Sequence, residues 1–266
     1  MEMAERVVIT GASSGIGAAL AEAMAAPGVH FLLIARRGDA LQRVAAICKS
    51  RGACVVCAAL DLRDRQGVLD VVASFAQDGG VQMLVANAGV VELEAWPSDQ
   101  GPNWDRLRSQ LDDNLNCTLS VLEAGLSLPV DQRLHLHCVV VSSLNAFLAM
   151  GEAPGYCTAK AAQKALVEAL ADYYGCQRSP QSRVRFSTVF PGFVATGMAQ
   201  HYVGPRPFQL TSEQAAARIL QGVRAGRRRI VFPRRLAALQ WLGERLPPGW
   251  MRVAIASNRA FRAVCP

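Results

Sequence analysis

With 266 residues, 51% apolar and 18% charged, the chain is long enough to bury one sizeable α/β core and too apolar to be a disordered charged tail. Its net charge of +7 conceals a division: residues 1–200 carry 16 basic and 19 acidic side chains (−3), whereas residues 201–266 carry 12 and 2 (+10). No apolar run reaches the roughly 18 residues that span a bilayer, and the opening Met-Glu-Met-Ala-Glu-Arg leads straight into an apolar run at Val7, so a soluble, cytoplasmic protein with no nucleic-acid partner is expected.

Short β-rich runs at 6–10, 30–35, 53–59, 82–86, 137–142 and 184–190 alternate with segments of helical period at 15–26, 38–50, 64–76, 103–127 and 155–175. Regular succession of strand and helix predicts βαβ units, and hence a Rossmann-like, doubly wound parallel sheet in a single α/β domain. Such a sheet gathers its ligands at the carboxyl ends of its strands. The first strand ends in Thr10-Gly11-Ala12-Ser13-Ser14-Gly15-Ile16-Gly17, which opens the first helix. Glycines there permit a tight turn and a close approach of backbone N–H groups to a diphosphate, which the helix N-terminus also attracts. The second strand ends in Leu33-Ile34-Ala35-Arg36-Arg37, with two guanidiniums where an NAD enzyme would place a carboxylate for the ribose hydroxyl. That favours NADP(H) over NAD(H), the arginines receiving the 2′-phosphate.

In the third strand Cys54 and Cys57 have the C-x-x-C spacing, but three residues apart on a strand they face opposite sides, so no redox or metal pair is expected. His135 and His137, leading into the fifth strand, share a face but lack a third ligand; they read as ordinary strand residues, and no metal is expected. Tyr156 and Lys160, four residues apart on a helix, stand on one face about a turn from each other. A phenol ionises near pH 10 in isolation, and an adjacent ammonium lowers that value, which makes it usable as a general acid or base. After the sixth strand, the Pro/Gly-rich segment at 203–208 interrupts the alternation, and Thr211 or Ser212 can cap a helix through about residue 224.

The glycine spacing after Thr10, Asn87-Ala88-Gly89, Asn114 in Asp-Asp-Asn-Leu-Asn, Ser142-Ser143, Tyr156-Cys-Thr-Ala-Lys160, and Pro191-Gly192 with Thr196 occur in one order. Over roughly residues 5–200 this resembles the short-chain dehydrogenase/reductase family. The resemblance implies a carbonyl or secondary alcohol as small-molecule substrate, and a homodimer or homotetramer. It further implies that Asp61-Leu62 borders the adenine, although Asp61 could equally cap the next helix. Asn87, Ala88 and Gly89 would support the ribose side, and Lys160 would also hold the nicotinamide ribose hydroxyls. Ser143, preferred to Ser142, would bond the substrate oxygen. Asn114, preferred to Asn116, would anchor a water leading to the lysine, and the loop Pro191, Gly192, Val194, Thr196 would hold the nicotinamide carboxamide. Ser14 departs from the pattern, since many NADP-using relatives carry a basic residue there. Two other functions stay open: an epimerase or dehydratase working through a transient ketone, and a non-catalytic NADPH-binding scaffold, which would have no need of Ser143, Tyr156 and Lys160.

The core of cofactor binding and catalysis is thus expected over 1–200, a substrate loop and helix over 201–226, and a basic amphipathic C-terminal extension of the same domain over 227–266. In place of the compact final strand common in the family, the extension offers Arg227-Arg-Arg-Ile-Val-Phe-Pro and two helical stripes, Leu236 to Leu246 and Trp250 to Val264. Peripheral membrane contact, a cover over a lipophilic substrate, and a dimer surface are three uses such a hairpin could have.

Overall fold

The computed structural model of the protein describes residues 5–93, 102–151, 153–176, 184–198, 206–233 and 235. Seven strands, β1 (Glu5–Thr10), β2 (Val29–Ala35), β3 (Cys54–Ala59), β4 (Met83–Ala86), β5 (His137–Val141), β6 (Arg185–Pro191) and β7 (Arg229–Phe232), form one sheet in the order β3-β2-β1-β4-β5-β6-β7. All six pairings are parallel. The strand order reverses between β1 and β4, which opens a crevice at their carboxyl ends. Helices α1 (Gly15–Met24), α2 (Gly38–Ser50) and α7 (Ser212–Arg224) cover one face; α3 (Arg65–Ala76), α5 (Cys117–Leu126) and α6 (Pro154–Cys176) cover the other, with α4 (Trp104–Leu111) leading into α5.

Both faces are apolar because each strand is sandwiched. Val7, Ile9, Phe31 and Leu33 pack toward α1 and α2, while Val8, Leu32 and Ile34 pack toward α3 and α5. That explains why these strands read as near-continuous apolar runs and not as alternating ones. Full burial of each large side chain contributes about 1.5–3 kcal/mol.

Three local findings depart from the sequence reading. The helix expected over 103–127 is interrupted by a π turn at Asp112–Asn116, which separates α4 from α5. Asn114 is buried at its centre, its Nδ2 donating to the Gln110 carbonyl one turn back at 2.8 Å. Asp61 does not cap α3: Asp64 does, accepting from the Gly67 N–H at 3.0 Å. Residues 229–232, assigned to the extension, form β7, with Ile230 and Phe232 buried; a four-residue strand flanked by arginines is too short and too charged to register as an apolar run. Thr211 caps α7 in a reciprocal capping box with Gln214. The stripe from Leu236 onward and Trp250 to Val264 lie outside the described residues. Among the described residues no helix is long and apolar enough to cross a membrane.

Candidate active site

The crevice between β1 and β4 is held by Thr10. Its hydroxyl donates to the Val85 carbonyl at 3.2 Å and accepts from the N–H groups of Asn87 at 3.1 Å and Ala88 at 3.3 Å. The Asn87 amide donates back to the Thr10 carbonyl at 3.0 Å, so Asn87-Ala88-Gly89 and the glycine turn form one braced unit. Gly11 has φ +65°, and a Cβ there would lie 2.9 Å from the Ala88 Cα; one on Gly17 would lie 2.5 Å from the Gly11 oxygen. The turn therefore admits no side chain at either position. Ser14 precedes α1 without a side-chain cap, and the first turn carries no carboxylate, leaving its N–H groups available to an anion.

Arg37 reaches across this turn from the end of β2, donating to the hydroxyls of Ser14 at 2.7 Å and Ser13 at 3.2 Å. Arg36 is exposed beside it and contributes, with Arg63, to the field that acidifies Asp61. Asp61 accepts from the Arg63 backbone and guanidinium, chiefly at 2.6 Å, and those bonds hold its carboxyl down to about 2. Leu62 is buried against α3, Ile16 packs on the α1 side of the core, and Val194, buried, bridges to Leu210. Thr196 lies against Gly15, and Gly192 donates its N–H to Phe232 of β7 at 2.8 Å. The loop from Pro191 to Thr196 thus returns to the glycine turn. A diphosphate-bearing dinucleotide fits these residues, with uncapped N–H groups, a floor without Cβ atoms and guanidiniums at the β2 end.

On the other side of the crevice, three consecutive residues leaving β5 hold α6. The Val141 carbonyl accepts from Lys160 Nζ at 3.0 Å, Ser142 Oγ donates to the Lys160 carbonyl at 2.9 Å, and the Ser143 side chain hydrogen-bonds the Tyr156 phenol. Ser142 is therefore committed to the main chain of α6, and Ser143 is the hydroxyl beside the phenol. Lys160 Nζ stands 5.5 Å from the centre of the Tyr156 ring. Both residues are buried, at 8% and 3% exposure. Burial pushes the Tyr156 phenol up to about 12 against the opposing effect of the Ser143 bond, and brings the Lys160 amine down to about 7. This reverses the direction expected from the ammonium, because the same desolvation that raises the phenol discharges the lysine beside it.

Asn114 is bound on every side. Its Nδ2 donates to Val90 at 2.9 Å and to Gln110, its Oδ1 accepts from the Val90 N–H at 3.2 Å, and its main-chain carbonyl accepts from Thr118 Oγ1 and Gln163 Nε2. It ties α4 and α5 to the segment after β4. Sequence reasoning overlooked Gln163 and Gln110, both 1% exposed. The signal for Gln163 is its place seven residues after Tyr156 and three after Lys160, an amide on the inward face of α6. His137 is buried and hydrogen-bonded to Ser187 at 2.8 Å, with burial bringing its imidazole down to about 4, whereas His135 is exposed outside the strand. Cys54 is exposed at the sheet edge, and Cys57 packs inward toward Cys48.

The chain matches the short chain dehydrogenase family over residues 5–205 and belongs to it. It is 30% identical over 252 residues to an uncharacterized oxidoreductase of Myxococcus xanthus, covering 92% of this chain and 94% of the relative. It is 32% identical over 201 residues to the 1-deoxy-11-beta-hydroxypentalenate dehydrogenase of Streptomyces exfoliatus, covering 75% and 70%. The fold is that of a short chain dehydrogenase/reductase from Burkholderia phymatum solved in complex with NAD, with TM-score 0.76, 22% identity, and coverage of 90% and 92%. The protein is thus an oxidoreductase of the class acting on CH–OH groups.

Proposed function

We propose that the protein interconverts a carbonyl and a secondary alcohol using NADP(H), with Tyr156 as the general acid/base. The reading rests on one observation: the Tyr156 phenol is buried beside Ser143 and Lys160, and Lys160 Nζ in turn lies 3.4 Å from where a Cβ on Gly89 would stand, in the segment braced to the glycine turn. The nicotinamide, when bound, supplies or accepts the hydride. Tyr156 gives its proton to the carbonyl oxygen in reduction and takes it back in oxidation. Ser143 donates to the same oxygen and steadies its developing negative charge. Lys160, partly charged at neutral pH, holds the ribose hydroxyls and favours the phenolate once the proton has left. Asn114 keeps the segment Gly89-Val90 and α6 in register.

Asn87, Ala88 and Gly89 support the ribose side, Asp61 and Leu62 border the adenine, and Pro191, Gly192, Val194 and Thr196 receive the carboxamide. The Burkholderia neighbour holds NAD; the preference for NADP(H) here rests on Arg36 and Arg37 and on the absence of a carboxylate at the end of β2. The test is Tyr156→Phe, which removes only the proton-carrying oxygen. Turnover in a screen of ketones and alcohols followed by NADPH absorbance should fall by about a hundredfold or more, with NADPH affinity nearly unchanged. Undiminished turnover would overturn the mechanism.

A further inference from the structure

We propose that Arg63 is a positioning residue for cofactor choice: by neutralising Asp61 it leaves the neighbouring Arg36 guanidinium to the 2′-phosphate of NADP(H). The inference rests on the proposed reading of the cofactor and gives a part in it to a residue beyond the end of β2. Register brings the groups together. Ala35, the last residue of β2, pairs with Ala59, the last of β3, and the Leu60 N–H donates to the Ala35 carbonyl at 3.1 Å. Arg36 and Arg37 therefore leave the sheet abreast of Leu60 and Asp61, so the carboxylate missing from the end of β2 is present one strand away. Left unanswered, it would repel a 2′-phosphate or pair with the guanidinium that is to receive one.

Arg63 supplies the answer. Asp61 Oδ1 accepts from the Arg63 N–H at 3.0 Å and from its Nε at 3.2 Å, while Oδ2 accepts from Nη2 at 2.6 Å and from Nε at 3.1 Å. The backbone bond closes an Asx turn after β3, so main chain as well as charge holds the two side chains together. A mobile surface pair lacks that tether and loses side-chain freedom for a single contact. On the π turn a second carboxylate, Asp113 Oδ1, lies 3.8 Å from Arg63 Nε. Hydrogen bonds from the Arg63 side chain and backbone, with a smaller contribution from the charge of Arg36, keep the Asp61 carboxyl at about 2, so its charge is present throughout the neutral range. Burial pushes the Cys117 thiol up to about 11, and Asp113, Asp61, Arg63 and Arg36 all act on it, which gathers the four charges around the start of α5. Arg37 is turned to Ser13 and Ser14, so Arg36 is the guanidinium that Asp61 would draw away without Arg63.

Fluorescence titration of the full chain with NADPH and with NADH tests this without any substrate. Arg63→Leu should lower the ratio of NADPH to NADH affinity about tenfold, as for the loss of one charge-assisted hydrogen bond to phosphate, and adding Asp61→Asn should bring the ratio back to within about threefold of wild type. Any contact that Asp61 makes with the adenine is common to the two nucleotides and cancels in the ratio. A merely structural role for Arg63 would weaken both nucleotides together and would not be repaired by removing its partner's charge. Arg63→Gln carries the same test if the leucine variant does not fold. A folded single variant with an unchanged ratio overturns the proposal. So does a lowered ratio that Asp61→Asn fails to restore, since Arg63 would then meet the phosphate itself. Equal affinity of the wild type for the two nucleotides sinks the proposed cofactor preference and this inference with it, whereas a wild-type preference that survives Arg63→Leu sinks this inference alone.

Discussion

Arg36 and Arg37 are neighbours with different surroundings. Arg37 is held by two hydroxyls of the glycine turn, whereas Arg36 stands exposed near Asp61. A charge-assisted hydrogen bond to a phosphate contributes about 1.5–3 kcal/mol, roughly a tenfold to hundredfold change in affinity. Arg37→Ser should therefore weaken NADPH by that factor and leave NADH within about threefold, with Arg36→Asp acting in the same direction; fluorescence titration of both nucleotides decides it. An unchanged preference in both variants would mean the 2′-phosphate is read elsewhere. Lys160 allows a stability prediction. Its folded value, about 7, lies below the 10.5 of an exposed lysine. Between those values the unfolded chain binds a proton that the folded chain does not, so stability rises with pH across this window and the full penalty is present below about 7. Lys160→Met removes that penalty, at about 1.4 kcal/mol per unit, while losing a hydrogen bond to Val141 that contributes less. The variant should be inactive yet melt several degrees above wild type at pH 7, the gap closing toward pH 10. At this scale the sequence made Tyr156, Lys160 and Ser143 legible through helical spacing and motif order. It could not reveal the direction of the pKa shifts, which depends on how much water the fold removes.

Among the elements, the turn into α1 and the π turn carry the site, and they differ in legibility. The glycine turn announces itself because side chains are forbidden where two backbones meet, and the structure places Gly17 2.5 Å, measured from a hypothetical Cβ, from the Gly11 oxygen. Gly17→Ala should then force α1 away from β1 and cost about 1–3 kcal/mol, visible in a urea melt, with NADPH binding lost in the same protein. Retained binding would show that α1 can shift without opening the cradle. The π turn left no comparable mark in the spacing of apolar residues: Asp112–Asn116, four Asp or Asn among five, signals only a weak stretch of helix, and the inward placement of Asn114, its Nδ2 donating to Val90, shows only in the structure. Likewise β7 was hidden by its arginines. Arg229 meets Glu168 at 2.8 Å and Arg228 lies 3.8 Å from Asp172, so side chains that read as a free cationic cluster are partly answered by carboxylates of α6. Exposed pairs of this kind contribute little to stability, and Ile230 and Phe232 are what hold the strand.

For the molecule as a whole, the charge division now has a different boundary. A chain ending at 226 would lose β7 along with the tail, exposing the surface covered by Ile230 and Phe232; at about 1.5–3 kcal/mol each, that approaches the whole stability of a marginal domain. A chain ending at 235 keeps every described strand. Residues 236–266 still contribute four arginines and one glutamate, a balance of +3, together with two apolar stripes. If those residues bind anionic lipid, the full chain should sediment with phosphatidylserine vesicles at low salt, and the chain ending at 235 should remain in the supernatant while keeping its melting temperature and NADPH affinity. Binding that survives in about 0.5 M salt would assign the attachment to the apolar stripes, since screening shortens the reach of surface charge to a few ångströms at such ionic strength. Equal sedimentation of the two chains would remove the membrane role and leave the tail to cover substrate or a second copy. Melting both chains beforehand matters, because a truncation that unfolds the sheet would expose apolar surface and bind vesicles for the wrong reason.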